Sequence, residues 1–173
     1  MYRYEQANPF KRFVRLSAGW KPMSLFYART LHHIDRLVYR ATHQRATLSG
    51  WIAGLPVVNL TTTGAKSGLL RTLPLLAIPG DDGFVVIASN YGQRRHPAWY
   101  HNLKANPRAT ARFEGATREM VARELAGDER DRWYRRGIEI YPGWVNYRDR
   151  TAGVRRIPVL ELRPADLRSP GSA

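Results

Sequence analysis

The stretch NLTTTGAKSGLLRTLPLL, Asn59 to Leu76, gathers groups suited to holding an anion. Gly64 and Gly68 mark a turn with open backbone N–H groups, Lys66 adds an ammonium, Ser67 a hydroxyl and Arg71 a guanidinium. Oriented N–H groups beside a cation make a phosphate cradle. The loop that binds nucleoside triphosphates is not the match, because it needs a glycine, four residues, then Gly-Lys-Ser/Thr opening a helix. Here Ala65 separates Gly64 from Lys66, Asn59 stands at the first glycine position, and a strand-like run follows. Two readings stay open: a cradle for one phosphate, or an ordinary polar hairpin loop.

Other chemistry is sparse. The five histidines, His32, His33, His43, His96 and His101, show no zinc-ligand spacing, and the last two, five residues apart, do not stack on one helix face. No Gly-x-Ser-x-Gly elbow surrounds a serine, and no carboxylate pair stands out. The chain has no cysteine, which excludes disulfides, thiolate metal sites and cysteine nucleophiles. A phosphate-suited loop among aromatic residues, without an acid, base or metal site of its own, points to chemistry borrowed from a bound cofactor.

Short β-rich runs must position these groups. They cover Pro56–Thr62, Arg71–Ile78 and Gly83–Ser89, the first two joined by the Gly/Lys/Ser turn and the next pair by PGDDG. His96–Ala105 reads as a short helix, and Ala109–Glu114 with Arg118–Leu125 as a hairpin about Gly115. A helix is predicted over Asp128–Ile140, with Asp128 as cap and Asp131 completing a capping box. Ile157–Leu162 is the last strand, and the residues between Tyr141 and Arg156 are assigned no element. Upstream, Asn8-Pro9 opens a basic helix over Phe10–Ser17, and a second runs from Pro22 to Arg40 with Phe26, Ile34 and Leu37 on its apolar face. Strands joined by tight turns pair antiparallel, so the expected fold is an α+β barrel or closed meander rather than a doubly wound parallel sheet.

A chain of 173 residues, 43% of them hydrophobic, is expected to fold as one globular unit. We divide it into a basic amphipathic segment 1–50, a barrel domain 51–164 and a polar tail 165–173. Nine lysines and arginines against two acids give residues 1–50 a net +7, half of the chain's +14. Such charge suits nucleic acid, anionic lipid or an acidic small molecule, and equally a merely solvated surface. No nucleic-acid module is present, so that partner is not expected. Without a membrane-spanning run or signal peptide, the predicted location is the cytoplasm, with the inner face of the cell membrane as a peripheral site that the N-terminal charge suits.

Three longer segments carry a resemblance. GLPVVNLTTTGAKSGLLRTLPLL, VVIASNYGQRRHPAWYHNLKANPRATARFEG and YPGWVNYRDRTAGVRRIPVLELRP resemble the deazaflavin-dependent nitroreductases of actinobacteria, in the same order and spacing from about Leu31 to Pro164. The resemblance implies a split β-barrel related to the barrels that bind flavin mononucleotide, and an oxidoreductase that uses coenzyme F-420. It implies hydride transfer from the reduced deazaflavin to quinones, nitroimidazoles or other electrophilic small molecules. Ala65, Lys66, Ser67 and Arg71 would hold the cofactor's phosphate and acidic tail, and Thr72, Leu73, Pro74, Leu75 and Leu76 would lie along its rings. Ile87, Ala88, Ser89 and Asn90 would touch the deazaflavin, with Ala98, Trp99, Tyr100, His101 and Asn102 completing the pocket. Ser89, Tyr141, Trp144 and Tyr147 are the expected catalytic set, Ser89 and Tyr147 as hydrogen-bond donors and Trp144 on the acceptor face. Two departures stand out. Asn90 replaces a frequent lysine, leaving Arg94 or Arg95 to supply a cation, and Tyr141-Pro142-Gly143-Trp144 puts tryptophan where nitroimidazole-activating members have tyrosine. The same barrel using flavin mononucleotide, or a non-enzymatic basic membrane-surface protein, are the alternative readings.

Overall fold

Alternation builds the barrel. In strand β1, Val57–Thr63, Val58, Leu60 and Thr62 turn inward and are buried while their neighbours are half-exposed. Strands β2 (Leu70–Pro79), β3 (Phe84–Ile87), β4 (Arg108–Phe113), β5 (Ala116–Glu124) and β6 (Val159–Pro164) complete the sheet. All pairs are antiparallel, in the spatial order β1-β2-β3-β6-β5-β4, and β4 returns to β1 so that no edge is left open. The computed structural model describes residues 55–166 and, before them, Pro9 alone. The two predicted N-terminal helices and the tail beyond Asp166 lie outside the described residues.

The split-barrel expectation is met. One core fills the barrel, with Leu60, Val86, Met120 and Leu162 among its fully buried members. A second lies outside the sheet, where Val85, Ile87 and Val159 meet helices α2 (Gly127–Ile140) and α3 (Gly143–Thr151). Strand β3 is therefore apolar on both faces, which accounts for its unbroken Phe-Val-Val-Ile run. Helix α1 (Ala98–Ala105) plugs the barrel with Trp99 and Leu103.

Three elements depart from the sequence reading. Strand β3 ends at Ile87, not Ser89, because Asn90, Tyr91 and Gly92 take left-handed backbone angles (φ 48°, 55° and 73°) that no strand continues. The capping box does not form: α2 begins at Gly127 without a side-chain cap, and Asp131 instead pairs with Arg130 at 2.7 Å and Arg156 at 3.3 Å. Helix α3 occupies a span whose sequence predicts no element, burying Trp144, Tyr147 and Thr151 on one stripe.

Register sets the two mouths of the barrel. Thr63 pairs with Leu70 and Thr62 with Ala109, so the Gly64–Leu69 loop stands at one mouth beside the start of β4. The β2–β3 and β4–β5 turns and the end of β6 stand at the other.

Candidate active site

The loop Gly64–Leu69 is closed by two backbone bonds, Gly64 N–H to Leu69 O at 2.9 Å and Gly68 N–H to Gly64 O at 2.8 Å. Gly68 sits at φ 68°, where a side chain would be strained. Ala65, Lys66, Ser67, Gly68 and Arg71 are all exposed, so the groups proposed for the anion face solvent. Leu69 N–H points at the Ser67 hydroxyl at 3.4 Å, a long contact that leaves this oxygen loosely held.

Asn102 ties that loop to the barrel. Its Oδ1 accepts the Ala65 N–H at 3.0 Å, and its Nδ2 donates to Thr62 Oγ1 at 3.0 Å. Both Asn102 and Thr62 are buried. The expectation placed Asn102 on the cofactor, whereas the structure shows both ends of its amide used inside the protein.

Beyond the loop, Arg71 and Thr72 are exposed and Leu73 to Leu76 half-buried, an apolar strand starting beside a cationic turn. Thr72 is also bonded across the sheet to Thr61, oxygen to oxygen at 2.8 Å. Helix α1 presents Tyr100 and His101 beside His96, with ring centroids 4.9 to 5.9 Å apart. Tyr100 donates to Glu124 at 3.2 Å, and Lys104 reaches the same carboxylate at 3.1 Å. Burial, then the Glu124 charge, raises the Tyr100 phenol above its ordinary range. Burial, then the Arg155 and His101 charges, lowers the His96 imidazole, outweighing the opposite pull of Glu124.

Ala88 and Ser89 are buried at the end of β3. Asn90 Nδ2 donates to Arg95 O at 2.9 Å and helps fold the left-handed turn. Arg94 and Arg95 are exposed near it. A residue that the sequence reading passed over also bonds this segment. Arg155 donates to Ala88 O (3.2 Å), Ser89 O (2.7 Å), Gln93 O (2.9 Å) and His96 Nδ1 (3.1 Å). It lies 66 positions from Ser89, and no local pattern signals such a contact.

Helix α3 brings Tyr147 up to Tyr141, at the end of α2, and to Tyr91. The hydroxyls of Tyr141 and Tyr147 are 2.9 Å apart, and Tyr91 meets Tyr147 edge-on at 6.2 Å. Gly92 allows this approach, since a Cβ there would lie 3.1 Å from the Tyr147 Cα. Trp144 is only 3% exposed. Its ring sits over Gly137, where an added Cβ would fall 2.6 Å from Cζ3, so the indole face expected toward an acceptor is packed in the core. Trp99 is likewise core, inside the barrel. Contacts thus run from Tyr100 through His96 and Arg155 to Ser89, and separately from Tyr91 to Tyr147 and Tyr141.

Charge separates this mouth from the other. A cavity of about 1020 Å³ at the opposite mouth is lined by Asp81, Asp82, Glu114, Glu119 and Asp166 against Arg118 alone. An anionic ligand is repelled there and favoured beside Lys66 and Arg71. A closed antiparallel barrel with a cationic turn beside an apolar strand is the kind that takes a phosphate-bearing ring cofactor.

Comparison with known proteins narrows this class. The sequence matches the family described as F420H(2)-dependent quinone reductase over residues 33–164, and the chain belongs to that family. A relative from Mycobacterium tuberculosis, described as an F420H(2)-dependent quinone reductase, is 34% identical over 131 residues, covering 72% of this chain and 84% of its own. A solved structure described as an F420-H2 dependent reductase aligns with a TM-score of 0.58 at 38% identity, covering 62% of this chain and 94% of that one. A second, described as a domain-swapped dimer, aligns at 0.60 with 34% identity, covering 74% and 95%. The protein is therefore an oxidoreductase of the barrel fold that depends on coenzyme F-420. The matched family is that of quinone reductases, so the nitroreductase label stays with the resemblance.

Proposed function

We propose that this protein reduces a quinone or a similar electrophilic small molecule at the mouth formed by the Gly64–Leu69 loop, the Ala88–Gln93 segment and α1. The observation that carries the reading is the exposed Lys66–Ser67 turn, anchored by Asn102 at the barrel mouth opposite the acidic cavity. Its donors fit a phosphodiester with a polyanionic tail: N–H groups, an ammonium, a hydroxyl and, at the start of β2, a guanidinium. Leu73 to Leu76 offer an apolar edge for a ring system.

When bound, the reduced cofactor supplies a hydride. The chain's own residues supply position and a hydrogen bond. Lys66, Ser67 and Arg71 would hold the anionic tail, and Ser89 and Asn90 would line the place of the ring. A phenol is already protonated at neutral pH, and burial pushes Tyr147 further up, to about 12, so its proton is there to donate. A quinone taking a hydride develops negative charge on oxygen, and a neutral donor placed there stabilises it. Tyr141 orders Tyr147 through their shared hydroxyl contact. Trp144, held by the core, shapes the wall behind them.

Titration of the purified protein with coenzyme F-420 and with flavin mononucleotide, followed by fluorescence, tests the cofactor site. Stopped-flow oxidation of the bound reduced cofactor by menadione tests the acceptor class. Tight binding of the deazaflavin alone with rapid oxidation by menadione is expected; preference for flavin mononucleotide, or no oxidation by any quinone, overturns the proposal. Attachment of the basic segment 1–50 to an anionic membrane surface rests on its net +7, and co-sedimentation with anionic vesicles at low and high salt decides it. Among the described residues no helix is long and apolar enough to cross a membrane.

A further inference from the structure

Strand β3 ends in a segment that does not fold by local preference. Asn90, Tyr91 and Gly92 follow one another in left-handed conformation, at φ 48°, 55° and 73°. Asparagine and glycine tolerate this region, but tyrosine rarely enters it, so contacts from outside the segment must hold the turn. Within the segment the chain makes only short-range bonds: Gly92 N–H to Ser89 O at 3.0 Å and Gln93 N–H to Asn90 O at 3.0 Å.

Two arginines reach it from outside: Arg150 Nη1 donates to Tyr91 O at 3.4 Å, and Arg155 clamps the residues on both flanks of the turn. Arg155 leaves the loop after α3, where its own N–H bonds Thr151 O at 3.0 Å. Its guanidinium is half-buried and uses Nε on Gln93 O, Nη2 on Ser89 O, and Nη1 on both Ala88 O and His96 Nδ1. A planar fork with five fixed N–H groups can span three carbonyls and a ring nitrogen at once; a lysine ammonium, a single point with three donors, cannot. Arginine has no acceptor, so His96 Nδ1 must accept, and the imidazole proton then sits on Nε2.

We propose that Arg155 is a positioning residue for the reaction. It holds the Ala88–Gln93 backbone in its left-handed turn and fixes the His96 tautomer, so this part of the mouth is formed before a cofactor arrives. The role rests on the reading above that Ala88 to Asn90 face the deazaflavin. Arg155 itself need touch neither cofactor nor acceptor.

The test uses the full-length protein without cofactor first, then with it. Amide hydrogen exchange at Gly92 and Gln93, and the 15N resonances of His96, are compared in wild type, R155K and R155Q. Both variants should exchange these amides at least about tenfold faster while core-strand amides keep their protection. The His96 signals should shift from a pure Nε2–H pattern to a mixture of tautomers. Coenzyme F-420 should then bind at least about tenfold more weakly, because binding must now order the turn that Arg155 held, and R155K should recover only part of the affinity. Among molecules with cofactor bound, kcat should fall less than affinity.

Wild-type exchange and an unchanged His96 signature in the variants overturn the proposal, as does faster exchange with unaltered cofactor affinity. Should R155Q lose its folded circular-dichroism signal, R155K, which keeps the charge and length, decides the matter. A wild-type protein that binds no coenzyme F-420 overturns the functional reading alone, because the exchange and His96 measurements are made on the protein without it.

Discussion

The hydroxyl oxygens of Tyr141 and Tyr147 lie 2.9 Å apart inside the protein, each side chain at most 7% exposed. Two phenols in one buried contact must stay neutral, because a phenolate there loses its hydration. Burial, the dominant cause, raises Tyr147 to about 12 and Tyr141 well above its ordinary value.

The sign of the pH dependence follows. The fold favours the protonated phenol, so the Tyr147 contribution is complete below the unfolded value of 10.0 and is lost as pH rises toward about 12. A shift of this size corresponds to about 2–3 kcal/mol at the alkaline end. Tyr134, also raised to about 12 by burial, loses stability in the same window. Urea midpoints at pH 8, 10 and 11.5 should fall for the wild type and fall less steeply for Tyr147→Phe. Parallel slopes would show that this phenol is not the group titrating.

The same substitution separates catalysis from binding. Tyr147→Phe should slow oxidation of the bound cofactor by menadione up to about 100-fold, the scale of one lost hydrogen bond to a developing oxyanion. Cofactor affinity should stay near wild type. Ser89→Ala provides the partner experiment, and unchanged stopped-flow rates in both variants would leave catalysis to positioning.

Lys66→Ala should raise the coenzyme F-420 dissociation constant roughly ten- to a hundredfold, because a charge-assisted contact is worth about 1.5–3 kcal/mol. The loop should keep its shape, since backbone bonds of Gly64, Gly68 and Leu69 close it and Asn102 anchors it, none of them through Lys66. The loss should shrink for an analogue cut back before the phosphate. An equal loss with both ligands would mean that Lys66 acts on loop folding and not on the anion.

Asn102→Ala should damage both stability and binding although its amide bonds only protein groups. It leaves Thr62, 1% exposed, without its amide donor and frees the Ala65 N–H. A stranded buried polar group costs about 1–3 kcal/mol, and a loosened loop presents its cations less well. Thermal unfolding and cofactor titration should both move. A variant with wild-type Tm and wild-type affinity would dismiss Asn102 as the anchor.

Gly137→Ala sets two effects against each other. In a helix interior, alanine is favoured over glycine by about 1 kcal/mol. Here the added methyl would stand 2.6 Å from Trp144 Cζ3 and 2.7 Å from Ile87 Cδ1. Overpacking of a rigid ring costs about 1–3 kcal/mol and should win, lowering Tm. A rise in Tm would show that Trp144 moves freely, contrary to its place in the core.

The local chemistry and the local elements are written in short stretches of the chain. Period-two alternation in Val57–Thr63, the turn residues at Gly64–Gly68 and Gly80–Gly83, and the cluster of Lys66, Ser67 and Arg71 depend on neighbours only a few positions apart. The long segments that carry the family resemblance are of the same kind, which is why the barrel and the cofactor were legible. Tertiary structure decided the rest. Helix α3 is polar along most of its length, and only docking against Ile87 and Gly137 makes its Trp144–Tyr147–Thr151 stripe a buried face. That docking turned Trp144 from an expected acceptor contact into core. Asn102 reaches Thr62 across 40 positions and Arg155 reaches Ser89 across 66. A hydrogen bond between distant residues leaves no period and no spacing in the chain, so which side chain holds the mouth in shape is settled only when the barrel closes.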